Sequence, residues 1–178
     1  QEYMTHNNLR GSVCTALFRK EILHDLRFPK GILHEDEEFT PQLMLRAENL
    51  YFTNNKAYYY RKREGSIMHK RDKRWHIRRL ADAEQVLYRL KERVDYLPVK
   101  ERIAMERRIA QLTMDHIYNV ITMTHDETHL DHVLQRLSRH GLFPLPDKDY
   151  TSKYKWFRKM TNSSFGRKTL IMLLRLKG

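Results

Sequence analysis

The chain has 178 residues, 40% of them hydrophobic and 11% aromatic, which is enough apolar surface for a packed core and excludes a disordered segment. Its one cysteine, Cys14, excludes an internal disulfide, no apolar run reaches the roughly 20 residues of a bilayer-spanning helix, and no signal-peptide pattern opens the sequence, so folding in the cytoplasm is expected. A net charge of +12 predicts an anionic partner without choosing among nucleic acid, anionic lipid and a phosphorylated substrate.

The sequence opens on polar residues at Gln1 with no first strand, the pattern of a fragment or processed product. Residues 12–18 read as a short strand, or as a strand running into a helix at residues 19–23. Phe28-Pro29-Lys30-Gly31 follows as a turn, because Pro29 fixes φ and Gly31 permits a positive one. After the acidic run Glu35-Asp36-Glu37-Glu38, Thr40 and Pro41 read as the N-cap and first residue of a helix that ends near Glu48. Residues 50–53 and 56–60 read as two short strands around a tight turn at Asn54-Asn55.

From Trp75 the period changes to that of a helix: Ile77, Leu80, Ala83, Val86, Leu87 and Leu90 share a face, and Pro98 ends the pattern. A second helix carries its apolar stripe from Ile103 to Ile121. A third begins at the capping pattern Thr124-His125-Asp126-Glu127 and stops near Gly141. Residues 142–153 read as loop, and the tail from Tyr154 is basic and aromatic before a final apolar run at residues 169–174.

Three blocks, residues 17–23, residues 27–37 with the Phe-Pro-Lys-Gly turn leading to Glu-Asp-Glu, and residues 58–67 with a tyrosine run followed by Arg63-Glu64-Gly65-Ser66-Ile67, stand in an order and spacing that resembles bacterial family-2 glycosyltransferases of capsule and exopolysaccharide synthesis. The resembling stretch runs from about Gly11 to His69. It implies an α+β fold, the acceptor-side part of a Rossmann-like GT-A domain with short strands over residues 1–75, followed by a mainly α-helical lobe over residues 76–178. It implies an inverting transfer from a nucleotide-sugar donor to a saccharide or lipid-linked acceptor. A divalent ion, magnesium or manganese, would be bound mainly by an N-terminal half with no counterpart here, so no cofactor is expected in this chain and no transfer by it alone.

The resemblance puts the catalytic base on Asp36, which would take the proton of the acceptor hydroxyl, with Glu35 or Glu37 fixing its rotamer. It assigns substrate and phosphate contacts to Arg61, Arg63, Ser66 and His69, where arginine suits a phosphate by its planar fork. Arg74 and Trp75 fall where processive members carry Gln-x-x-Arg-Trp, although Arg71 replaces the glutamine and Trp75 also reads as the anchor of a helix start. His125, His129 and His132 share a helix face but read as polar surface rather than a metal site.

Lys153, Trp156, Phe157 and the final apolar run form a basic amphipathic tail, residues 153–178, that suits an anionic membrane at the inner face of the cell membrane or packs on the helical lobe. Tyr88, Tyr96, Tyr118 and Trp156 are available anchors for self-association through that lobe. No nucleic-acid-binding signature is present, which leaves a non-catalytic basic module on membrane or nucleic acid as the alternative reading.

Overall fold

A computed structural model describes residues 1–61 and 72–176, which divide into two compact units, Gln1–Leu9 with Leu87–Gly178, and Arg10–Val86. The described residues hold helices and loops and no strand, which overturns the α+β expectation and the short strands of a GT-A part. Residues 12–18 and 50–60 have strand-forming side chains, but a strand exists only as a ladder with a neighbour. Over residues 50–60 the backbone bond is local, Ala57 N–H to the Asn55 carbonyl at 3.0 Å, and Tyr51, Phe52 and Tyr59 stand in solvent.

The unit formed by Gln1–Leu9 and Leu87–Gly178 is built on one long helix. Helices α1 (Glu2–His6), α3 (Lys73–Val94), α4 (Val99–Thr124), α5 (Glu127–Arg139), α6 (Ser152–Asn162) and α7 (Ser164–Arg175) contribute to it, α3 by its second half, and α1, α5, α6 and α7 all pack on α4. Buried Ala104, Ile117, Val120 and Ile121 give α4 its apolar stripe. It ends where His125 turns left-handed at φ 50°, and Asp126 then caps α5 by accepting the His129 N–H at 3.0 Å.

Two arginines lie inside this unit, Arg107 and Arg108, each 2% exposed. Arg107 donates to the carbonyls of Asn7 (2.6 Å), Met4 (3.3 Å) and Asp149 (2.6 Å) and to Asn8 Oδ1 (3.2 Å), and its guanidinium lies 5.7 Å from the Tyr150 ring centre. Those carbonyls include the unpaired end of α1, which a five-residue helix could not otherwise satisfy away from water. Arg108 donates in the same way to the Leu9 carbonyl.

The tail predicted as one basic segment is two helices. Ser163 Oγ accepts the Gly166 N–H at 3.3 Å to start α7, and at Gly166 a Cβ would fall 2.2 Å from the Met160 carbonyl oxygen. Only glycine allows so close an approach of the two helices. Asn162, the last residue of α6, exchanges two 2.9 Å bonds with the Leu145 backbone, holding the loop whose Leu142 and Leu145 are buried.

The unit Arg10–Val86 contains a 3-10 turn (Lys20–Leu23), helix α2 (Glu35–Arg46) and the first half of α3. Leu26, Phe39 and Leu43 form its core with Val13, Ile22 and Leu23 against them, and Phe28 stacks on Phe39 at 3.9 Å. Arg46 closes the turn from below, donating to the carbonyls of Leu23 and Ile22 and pairing with Asp25 at 2.7 Å. Helix α2 starts five residues before the Thr40 expected as its cap, and Pro41 lies inside it. The acidic run is the reason: four carboxylates in the first turn face the positive end of the helix dipole, and Thr40 instead donates to the buried Gly11 carbonyl at 2.7 Å.

Candidate functional site

The loop that leads into the acidic first turn of α2 is held by three contacts from α3. The chain enters it through Gly31, at φ 78° as the turn reading requires, and through His34, at φ 63° and ψ 29°. A left-handed histidine is uncommon and persists where its surroundings fix it. Arg79 Nε donates to His34 Nε2 at 3.3 Å, which puts the histidine proton on Nδ1 in the neutral ring. Arg78 donates to the Gly31 carbonyl at 2.9 Å, and the Leu33 N–H donates to Asp82 Oδ2 at 2.9 Å. Asp82 in turn lies 3.5 Å from Arg78 Nε, one helical turn away on α3. The first half of α3 therefore fixes the loop from which α2 springs.

Within the turn the four carboxylates differ. Glu35 is exposed, Asp36 and Glu37 are half-buried, and Glu38 is buried at 3%. Glu37 lies against Gly11, where a Cβ would come within 2.4 Å of its carboxyl carbon, so its side chain rests on bare backbone. Asp36 is the second residue of the helix, where the positive end of the helix dipole favours an ionised carboxylate.

Of the residues expected to serve the site, Glu35, Asp36 and Glu37 share this turn. Arg61 is exposed in irregular chain, Arg74 is exposed in the first turn of α3, and Trp75 beside it is half-buried. Arg63, Ser66 and His69 lie outside the described residues. Sequence reading passed over Gly11, His34, Arg78, Arg79 and Asp82. The Arg78 and Asp82 spacing was visible as an ion pair on one helix, but nothing local says that its partners lie nearly fifty positions back.

Among the described residues no group of three or more His, Cys, Asp or Glu side chains is arranged to hold a metal ion. Among the described residues no helix is long and apolar enough to cross a membrane. In the tail, Phe157, Leu170 and Ile171 are buried while Trp156, Phe165, Met172 and Leu176 are exposed, so it both packs and presents an apolar surface. Of the aromatic anchors, Tyr88 stacks on His140 at 3.7 Å, and Tyr96, Tyr118 and Trp156 remain exposed.

No family model, curated protein or solved structure matches the chain.

Proposed function

We propose that the chain is the acceptor-side, base-bearing part of an inverting glycosyltransferase, with Asp36 as the general base. What supports the reading is Asp36 in the first turn of a helix whose entry is pinned by Arg78, Arg79 and Asp82. In inverting transfer the acceptor oxygen attacks the anomeric carbon while a carboxylate takes its proton and the nucleotide diphosphate leaves. The helix dipole keeps Asp36 ionised and ready to accept, and Glu37, seated on Gly11, borders it. The nucleotide-sugar donor is held by other parts of the intact enzyme. The saccharide or lipid-linked acceptor approaches the α2 turn.

In the full-length enzyme, Asp36→Asn keeps the size of the side chain and removes the proton acceptor. Steady-state kinetics should show turnover down by about 100- to 10,000-fold with donor affinity nearly unchanged. The exposed Glu35→Gln should stay within about threefold of the parent enzyme. Near-normal turnover per folded Asp36→Asn molecule would show that the carboxylate only caps α2, a role worth about 1 kcal/mol of stability.

A further inference from the structure

Helices α6 and α7 carry cations and no carboxylate: Lys153, Lys155, Arg158 and Lys159 on the first, Arg167, Lys168 and Arg175 on the second. Carboxylates of α5 and of the loop before α6 come within 2.6–3.9 Å of four of them, which leaves the pair of helices a positive excess. Beside these charges stands an apolar stripe. Phe165 and Met172 of α7 and Leu176 at its C-cap recur at i, i+7 and i+11, one helix face, and are 81%, 58% and 81% exposed. Gly166, Leu170 and Ile171 are buried on the opposite face. Lys168 and Arg175, at i+3 and i+10, run along one edge of the stripe. On the other edge Leu173 lines a concavity together with Trp156 of α6, so the exposed apolar positions of the two helices meet there, and Lys153 and Lys159 stand three residues either side of Trp156.

This combination of charge and apolar surface chooses among partners. A second copy of the same face would set like charges against each other. A nucleic acid would answer the cations, yet its phosphates give Phe165, Met172 and Leu176 nothing to pack on. The headgroup region of an anionic bilayer answers both, with lipid phosphates for the lysines and arginines and an acyl boundary for the apolar stripe. Trp156, half-exposed, suits the same level, where an amphipathic ring sits between hydrocarbon and water. We propose that α6 and α7 dock the chain on an anionic lipid bilayer, with Phe165, Met172 and Leu176 seated at the headgroup–acyl boundary and Lys153, Lys159 and Lys168 on lipid phosphates. The proposal is independent of Asp36 and of the chemistry assigned to α2.

Co-sedimentation of the full chain with vesicles of phosphatidylcholine alone, and of an equal mixture with phosphatidylglycerol, tests it. The mixture should bind at least about tenfold more tightly, since each cation at an anionic surface contributes about fivefold. That preference should shrink as salt is added, because surface attraction is screened. Phe165→Ser with Leu176→Ser, at two exposed positions, should keep the parent's melting temperature and lose at least about tenfold in affinity for the mixture, a loss that a purely electrostatic contact would not show. Met172→Glu, a single change on the same stripe, should lose as much by bringing a carboxylate to the anionic surface. Equal binding to the two vesicle compositions, unchanged vesicle binding by both stripe variants, or a chain that binds double-stranded DNA or dimerises through the stripe while leaving vesicles unbound would overturn the proposal.

Discussion

Arg107 shows how one side chain decides whether an element exists. Its guanidinium serves four acceptors on two separate stretches, the Met4 and Asn7 carbonyls and Asn8 Oδ1 on one and the Asp149 carbonyl on the other, from a position 2% exposed. Burial pushes its pKa down and the nearby Asp149 carboxylate pushes it back up, so the cation is retained by what surrounds it. Arg107→Met keeps the stem and strips three carbonyls of their donor, at about 1–3 kcal/mol for each one left dry. Denaturant unfolding should record a loss of about 3 kcal/mol or more, with Arg107→Lys recovering part of it because one ammonium cannot span all the acceptors. A loss under about 1 kcal/mol would mean that water reaches the carbonyls instead. None of these pairings was legible in the sequence, because the Asn7 carbonyl lies 100 positions before Arg107 and the Asp149 carbonyl 42 after it.

Among the elements, the glycine at the α6–α7 corner makes the sharpest claim. Gly166→Ala drives a Cβ into the Met160 backbone, which cannot swing away as a side chain could, and overpacking of this kind costs about 1–3 kcal/mol. Thermal melting should show that loss, whereas Gly31→Ala, with nothing near its Cβ, should lose only about 1 kcal/mol from its left-handed backbone. Equal melting temperatures for Gly166→Ala and the parent chain would mean that the two helices slide apart without cost. Helices α3, α4 and α5 were legible because their apolar residues repeat with the helix, a signal carried within each segment. The start of α2 was misplaced because Thr40-Pro41 imitates a helix entry, while the true first turn is acidic and its N-cap, His34, has no capping side-chain bond. Strands failed for a deeper reason, since side chains that favour a ladder do not supply its second rail. The same limit applies to the site: its carboxylates were legible as a run, and the α3 residues that hold their loop were not.

For the molecule as a whole, a buried tyrosine and a half-buried one set an alkaline limit. Burial raises Tyr150 and Tyr154 from an ordinary 10.0 to about 12, and the Asp115 carboxylate beside Tyr154 adds to the shift. A raised folded pKa means that the unfolded chain loses these protons first. The stability they contribute is therefore complete below pH 10 and is lost as pH climbs to about 12. Unfolding titrations across that window should steepen, and Tyr154→Phe should flatten the curve while giving up its 2.6 Å bond to Asp115 at neutral pH. A Tyr154→Phe curve as steep as the parent's would mean that Tyr154 ionises freely in the folded chain.

The union of Gln1–Leu9 with Leu87–Gly178 has a consequence in time rather than in space. Asn7 meets Arg107 across 100 positions of chain, so this contact is absent from a nascent polypeptide until α4 has left the ribosome. Until then α1, five residues long, is below the length at which a helix survives alone in water. Residues Gln1–Leu9 are thus made well before the helix they pack on, and closing so long a loop taxes the rate of folding more than the stability that results.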